Sequence, residues 1–458
     1  MQVQAFKINT TSLLWTAAGF IAAYAVHFIA KAAGVPNFDR IAIFCLCGCL
    51  FYYASVNQKS ETIINNVMIG VAVFLSASFL YNLAYSYLAI PEWDFLCFYL
   101  FGKTGISHND FYDPAVFHQQ FEALQLQART SNDFMEEIVK VGFWYPPPSM
   151  FLFLILGVFD LQTGYYIWQT LIILFLAVDI ILLIRFYMTR VNPDAKQIKN
   201  YVLPLLLVLV FPDLTASIYY SQTISLFLFL LLLLIYYINS WKAGIFIALL
   251  VVIKPLAVFF GLYFLIYKKW KAVAAAAVTG ISIVLVTVLV FGLQHFMNYF
   301  TSPPTNRIPD FIYLEYSSLF GVLKRLQQQI PAYINPGNVK IIYYSLSAVV
   351  MGITLLSLRK LSRVSALLPF LVFIPLALLI YPATLFHYNI LLLPVILFLF
   401  AQQLFSSTVL NLSLLLVLYL VGMYNFFFFN VMLWGILIGW PFLLKQFKNT
   451  GHFKTVPV

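Results

Sequence analysis

The sequence predicts an all-α polytopic membrane protein, and three observations carry that expectation. Of 458 residues, 62% are hydrophobic and only 9% charged, against about 25% charged in soluble domains. The apolar residues fall in runs of bilayer length, roughly 20 residues each. The polar residues gather instead in two long stretches, 91–144 and 294–340. Inside hydrocarbon a backbone must satisfy its own N–H and C=O groups, which leaves helices for such runs.

In chain order, the run from Leu13 to Ala30 lacks a small-residue cleavage site and is followed by further spans, so it reads as a membrane helix rather than a signal peptide. Runs near 40–56 and 66–89 follow, then 145–160, 163–187, 200–214, 222–239, 243–267 and 271–292 after the first polar stretch. After the second come runs near 340–358, 364–381, 386–404, 407–425 and 427–444. At about 20 residues per span this gives a bundle of about 12 to 14 transmembrane or re-entrant helices with two polar loops. The chain divides into an N-terminal transmembrane hairpin (1–65), a module that includes both polar loops (66–340) and C-terminal transmembrane helices (341–458).

Lysine and arginine set the orientation. The turn Arg359 to Arg363 and the tail from Lys445 to Lys454 are expected in the cytoplasm, and counting back from them puts both polar loops outside. Two arrangements satisfy that parity. If all six runs between the loops cross, the basic turn Arg185 to Lys199 falls outside, against the charge rule. If 145–160 dips and returns and 243–267 is a hairpin folded at Lys254-Pro255, every basic turn is inside and Gln222 is outside.

The first polar loop is the acidic part of the molecule. From Pro91 to Tyr145 it holds eight acidic and three basic residues, net −5 in a chain that is +10. A mere connection needs only a handful of residues, so this length predicts a folded cap that carries function. Asp94 follows the third run directly, where partial burial among Trp93, Phe95 and Tyr99 would suit a general base; the plain alternative is an exposed helix cap. Lys254 lies more than ten residues from either end of its apolar run, 243–267. An ammonium there needs an anion, either a lipid phosphate or, structurally, Asp179 or Asp213. His387, near the outer end of two late runs, could hydrogen-bond a phosphate or tune a carboxylate.

Other chemistries find little support. Cys45, Cys47 and Cys49 share one apolar run and Cys97 is alone, which is no disulfide framework. Asp110 and Asp113 are the close acidic pair outside the membrane, and they read as solvated loop or acceptor contacts rather than a metal site. Basic residues mark cytoplasmic turns rather than a nucleic-acid surface. A transporter would show paired halves with matching broken helices, and no internal repeat is present.

Taken in order, Trp93-Asp94-Phe95 with Tyr99, Tyr112-Asp113, Tyr145-Pro146-Pro147, Ser221-Gln222, Ala243-Gly244, Ile253-Lys254-Pro255, Lys269-Trp270, Ser317-Ser318-Leu319 with Gly321, Leu323 and Arg325, and Pro382 with His387-Tyr388 resemble the signatures of glycosyltransferase family 87. The resemblance covers residues from about 66 to 400. The chain departs from it where the family's Gly-Gln-x-Asn becomes Ser221-Gln222-Thr223-Ile224, and where Tyr316 replaces an Asn ahead of the Ser-Leu signature.

The resemblance implies a GT-C fold in the cell (inner) membrane with its active site facing the periplasm or exterior. It also implies transfer of one sugar, mannose in most known members, from a polyprenyl-phosphate sugar to a glycan or glycolipid hydroxyl. Asp94 would be the base that deprotonates the acceptor, with inversion of the donor linkage. Lys254, His387 and Arg325 would hold the donor phosphate, and Tyr99, Asp113, Tyr145, Gln222, Ser317 and Tyr388 would contact substrate. No cofactor and no metal is expected, since the leaving phosphate already carries charge that protein cations can meet. A ligase or polymerase using a lipid-linked oligosaccharide is the near alternative, and a lipid or solute transporter the distant one.

Overall fold

The apolar runs of this chain are helices, as backbone without water to bond requires. The computed structural model describes residues 10–34, 42–43, 45–50, 53, 61–88, 93–107, 109–124, 142–191, 199–301, 316–331, 334–361 and 367–401. Among these, five helices are long and apolar enough to cross a membrane: α1 (Thr10–Ala32), α2 (Glu61–Leu88), α6 (Leu161–Phe186), α12 (Trp270–Phe291) and α15 (Pro336–Leu361). The protein is an all-α polytopic membrane protein. The runs near 407–425 and 427–444, the tail after them, Glu136, Glu137 and Arg307 lie outside the described residues, as does part of 40–56.

Side-chain pairings sort the helix ends into two groups. At one end Tyr165 donates to the Ser86 carbonyl and Tyr87 stacks on Tyr166 at 5.2 Å, so α2 finishes where α6 begins. At the other, the guanidinium groups of Arg185 and Arg190 lie 5.6 Å from the Tyr236 ring centroid. Tyr236 ends α9 (Ile224–Tyr236). Tyr267 donates to the Leu358 carbonyl at 3.1 Å, and Lys269 donates to Ile238 O at 2.9 Å and Asn239 Oδ1 at 2.7 Å. The basic turns therefore gather at one end.

The described part of the chain between α2 and α6 gathers at the opposite end. Its main pieces, α3 (Trp93–Ile106) and α5 (Met150–Val158), run antiparallel and cross where Gly102 meets Gly157. A Cβ on Gly102 would sit 2.2 Å from the Phe153 carbonyl oxygen, so only glycine permits this approach. The run 145–160 thus packs within the cap instead of crossing. With its opening turn, the helix rises about 18 Å, well short of a bilayer core of about 30 Å.

Residues 242–267 return as well. They form α10 (Lys242–Ile253) and α11 (Val258–Ile266), separated by an extended Lys254 and a 3-10 turn at Pro255–Ala257. Gly244, near the start of α10, is pressed against the Ala272 carbonyl at the start of α12, and Lys269, just past α11, bonds Ile238 and Asn239 just before α10. Both ends of the segment therefore sit together, and Lys254-Pro255 is the tip of a hairpin. A hairpin folded at Lys254-Pro255 is one element of the second arrangement above.

A cap of aromatic rings closes the other end. Phe98 stacks on Phe153 at 4.8 Å, Phe101 meets Phe143 at 4.7 Å, and both pack on Tyr145. The cap is tied to α13 (Leu293–Thr301), where His295 stacks on Phe111 at 4.0 Å and Asn298 donates to Asp110 Oδ2 at 2.8 Å.

Two expectations follow from this architecture. Cysteines introduced one at a time at Asn239 and Lys268 should be labelled by an impermeant reagent from the same side of the membrane, whereas a crossing segment would put them on opposite sides. His295 lies 3.4 Å from Asp110, yet burial outweighs that attraction and holds its pKa below the ordinary imidazole value of 6.5. The folded state binds this proton less readily than the unfolded chain, so its contribution to stability is full above about pH 6.5 and declines as the pH falls below it. Unfolding midpoints between pH 7.5 and 5.5 should drop in the wild type and drop less in His295→Gln.

Candidate active site

Asp94 lies in the first turn of α3, where the positive end of the helix dipole favours a carboxylate. Its Oδ2 accepts a hydrogen bond from Gln222 Nε2. Gln222 stands in the turn between α8 (Pro212–Tyr219) and α9. That turn closes α8 with two backbone bonds, Ser221 N to Ile218 O at 2.9 Å and Gln222 N to Ser217 O at 3.0 Å. The pattern is a Schellman motif, whose pivot adopts a left-handed backbone. Ser221 is that pivot, with φ +54°, and it occupies the position where the resembling pattern has glycine.

Lys254 reaches the same place from the hairpin tip. Proline at 255 disfavours helical backbone at the preceding residue, and Lys254 is extended, with φ −147° and ψ 127°. Its ammonium donates to the Tyr388 hydroxyl and lies 4.1 Å from the Tyr388 ring centroid and 5.3 Å from that of Tyr145. Neither Asp179 nor Asp213 is among its partners; the carboxylate whose field reaches it is Asp94. An ammonium can make three donations, and here one hydroxyl and two ring faces serve it.

His387 completes the chamber in the 3-10 turn Phe386–Leu392. It is buried, 4.8 Å from the Tyr388 ring and 6.1 Å from that of Tyr220, and the charge of Lys254 acts on it. His387 Nε2 and Gln222 Oε1 are buried with no hydrogen-bond partner among the described residues. Each such atom costs about 1–3 kcal/mol unless something polar meets it. Both belong to residues beside the Asp94 and Lys254 charges, where a polar substrate would satisfy them.

The structure thus brings together Asp94, Gln222, Tyr145, Lys254, His387 and Tyr388. The other four expected site residues are engaged by the protein. Tyr99 donates to Phe159 O at 3.0 Å, with Lys103 over its ring, and Asp113 is exposed and accepts from Ala115 N at 2.9 Å. Ser317 N donates to Thr384 O at 2.6 Å, and Arg325 Nη1 donates to Tyr316 O at 2.8 Å. Tyr316 in turn bridges Leu385, while the Ser318 hydroxyl donates to Pro382 O at 2.7 Å and caps α14 (Leu319–Gln329). The Ser-Leu signature is therefore a clamp on the segment that carries His387 and Tyr388.

Two residues of the site's surroundings carried no signal in the sequence reading, Trp168 and Gln169, and both bond Ser221. A Trp-Gln pair inside a long apolar span was the available clue. Among the described residues no three or more His, Cys, Asp or Glu side chains come close enough to hold a metal ion.

The clamp predicts how Arg325 acts. Arg325→Met should lower the unfolding temperature, because a hydrogen bond to a charged group worth about 1.5–3 kcal/mol is lost. It should depress turnover by loosening His387 and Tyr388. A direct phosphate contact would instead raise the donor KM with the unfolding temperature unchanged.

No curated protein and no solved structure matches the chain. The family model described as glycosyltransferase family 87 matches residues 143–382. That match spans more than half of the sequence and takes in Tyr145, Gln222, Lys254, Ser317 and Arg325; Asp94 precedes it, and His387 and Tyr388 follow it. The chain belongs to glycosyltransferase family 87.

Proposed function

We propose that this membrane glycosyltransferase uses the GT-C architecture to move a single sugar, mannose by resemblance, from a polyprenyl-phosphate sugar to a hydroxyl of a glycan or glycolipid. The observation that carries the reading is the meeting of Asp94 and Lys254 in one chamber, a carboxylate and an ammonium supplied by opposite elements of the fold. Two charges with different tasks are what this reaction needs. The carboxylate takes the proton of the acceptor hydroxyl as its oxygen bonds to the anomeric carbon. On the opposite face of the sugar the bond from that carbon to the phosphate oxygen breaks, and its electrons leave with the phosphate.

The products are the new glycosidic bond, with inverted configuration, and a free polyprenyl phosphate whose added negative charge falls to Lys254. His387 Nε2 and Gln222 Oε1 supply polar contacts to the donor and sugar. Arg325, Ser317 and Tyr99 support the chamber from behind, and Asp113 lies on the acceptor's side in the cap. No cofactor and no metal takes part in these steps. Because basic turns favour the cytoplasm, the Asp94 end is assigned to the outer, periplasmic side of the inner membrane.

Purified protein incubated with a panel of polyprenyl-phosphate sugars and acceptors should release free polyprenyl phosphate from one of them. Asp94→Asn keeps the size and most hydrogen bonds but cannot take the proton, so transfer should fall about 10²–10⁴-fold while donor binding persists. Near wild-type transfer by Asp94→Asn would remove Asp94 as the base.

A further inference from the structure

The turn that delivers Gln222 is held more firmly than a helix end requires. Ser221 is buried, and its left-handed backbone, with φ +54°, is costly for any residue with a Cβ. Two neighbours in α6 hold that conformation. Trp168 Nε1 donates to the Ser221 carbonyl at 2.7 Å, and Gln169 Nε2 donates to the Ser221 hydroxyl at 2.6 Å. Glycine would relieve the backbone but would leave Gln169 without that hydroxyl.

These contacts lead directly to the reacting groups. Ser221 precedes Gln222, and Gln222 Nε2 is bonded to Asp94. Trp168 is itself packed edge-on against Phe98, 5.6 Å away, one helical turn beyond Asp94 on α3. The indole therefore touches both the turn that carries Gln222 and the helix that carries Asp94. Gln169 is buried in a predominantly apolar span, a position where an amide is expensive without a defined partner.

We infer that Trp168 and Gln169 are positioning residues, which hold Ser221 in its left-handed turn so that the Gln222 amide is aimed at Asp94. This rests on Asp94 being the base. A hydrogen bond to the ionised carboxylate stabilises it, so Gln222 sets both the direction and the basicity of Asp94. Trp168 and Gln169 act through that bond without touching substrate.

Trp168→Phe keeps an aromatic ring beside Phe98 and removes the N–H together with the second ring of the indole, and Gln169→Met keeps the length of the side chain and removes the amide. Each should lower kcat about tenfold or more, since misplacement of a catalytic group by a fraction of an ångström is costly. Donor KM should stay near wild type, and any drop in unfolding temperature from the lost buried hydrogen bond should leave the protein folded at the assay temperature. The acid limb of the pH–rate profile should move to higher pH, because Asp94 loses part of the bond that favours its ionised form. If both variants keep wild-type kcat and acid limb while Asp94→Asn is inactive, the positioning role is wrong and the base stands. Should turnover fall only in step with the folded fraction while the acid limb is unmoved, Trp168 and Gln169 are structural and the inference is overturned. An active Asp94→Asn would remove the base and this inference with it.

Discussion

An ammonium buried at the tip of a folded-back helix pair is the constraint on which the site depends. Lys254 is not at the end of its apolar run, where its stem could carry the charge to water. Pro255 breaks the helix there, and both halves return to the basic end, so the charge is held inside the bundle. It cannot remain there without company. Tyr388 and Tyr145 supply a hydroxyl and two ring faces, and Asp94 supplies the opposing charge from the cap. Three otherwise separate parts of the chain are thereby joined at one point.

Rigidity comes from what stands behind these residues. The Asp94 helix is locked to α5 by the Gly102–Gly157 crossing and by rings at 4.8 Å, so its first turn has little freedom. The segment carrying His387 and Tyr388 is irregular, and irregular backbone in a membrane protein must find partners elsewhere. It finds them in the Ser317–Arg325 stretch, through Thr384, Pro382 and Leu385. The second polar loop thus contributes to the chamber by holding its wall.

Much of this was legible in the sequence, for reasons that differ by residue. The fold class followed from apolar run lengths, and the hairpin tip from a lysine followed by a proline in the middle of hydrocarbon. Asp94 was visible as an acid placed directly after an apolar run, at the start of the acidic stretch. The choice between two topologies was not legible, because counting charged turns fixes parity but cannot tell a run that crosses from one that returns. Contacts such as Lys269 with Asn239 show the fold-back of residues 242–267, which charge counting does not. Arg325 and Tyr99 came to the site only through the family resemblance, and Asp113 as a loop or acceptor contact, because residue type shows that donors and acceptors exist without showing where they point. In the fold they meet Tyr316 O, Ala115 N and Phe159 O, all of them backbone groups.

The depth of the chamber bears on the kind of donor it suits. From the start of α10 to Lys254 is twelve residues of helix, a rise of about 18 Å at 1.5 Å per residue. Against a hydrocarbon core of about 30 Å, the hairpin tip stops below the far surface. A donor phosphate held by Lys254, as proposed, would leave the headgroup layer and enter the bundle. A phosphate attached to a lipid carries its own apolar anchor for that descent, whereas a soluble nucleotide sugar would have to shed its hydration with nothing to offset the loss. In a chamber walled by Tyr145, Tyr388 and His387 the field of one ammonium is weakly screened, so a single lysine can do at that depth what an exposed site would need several cations to achieve.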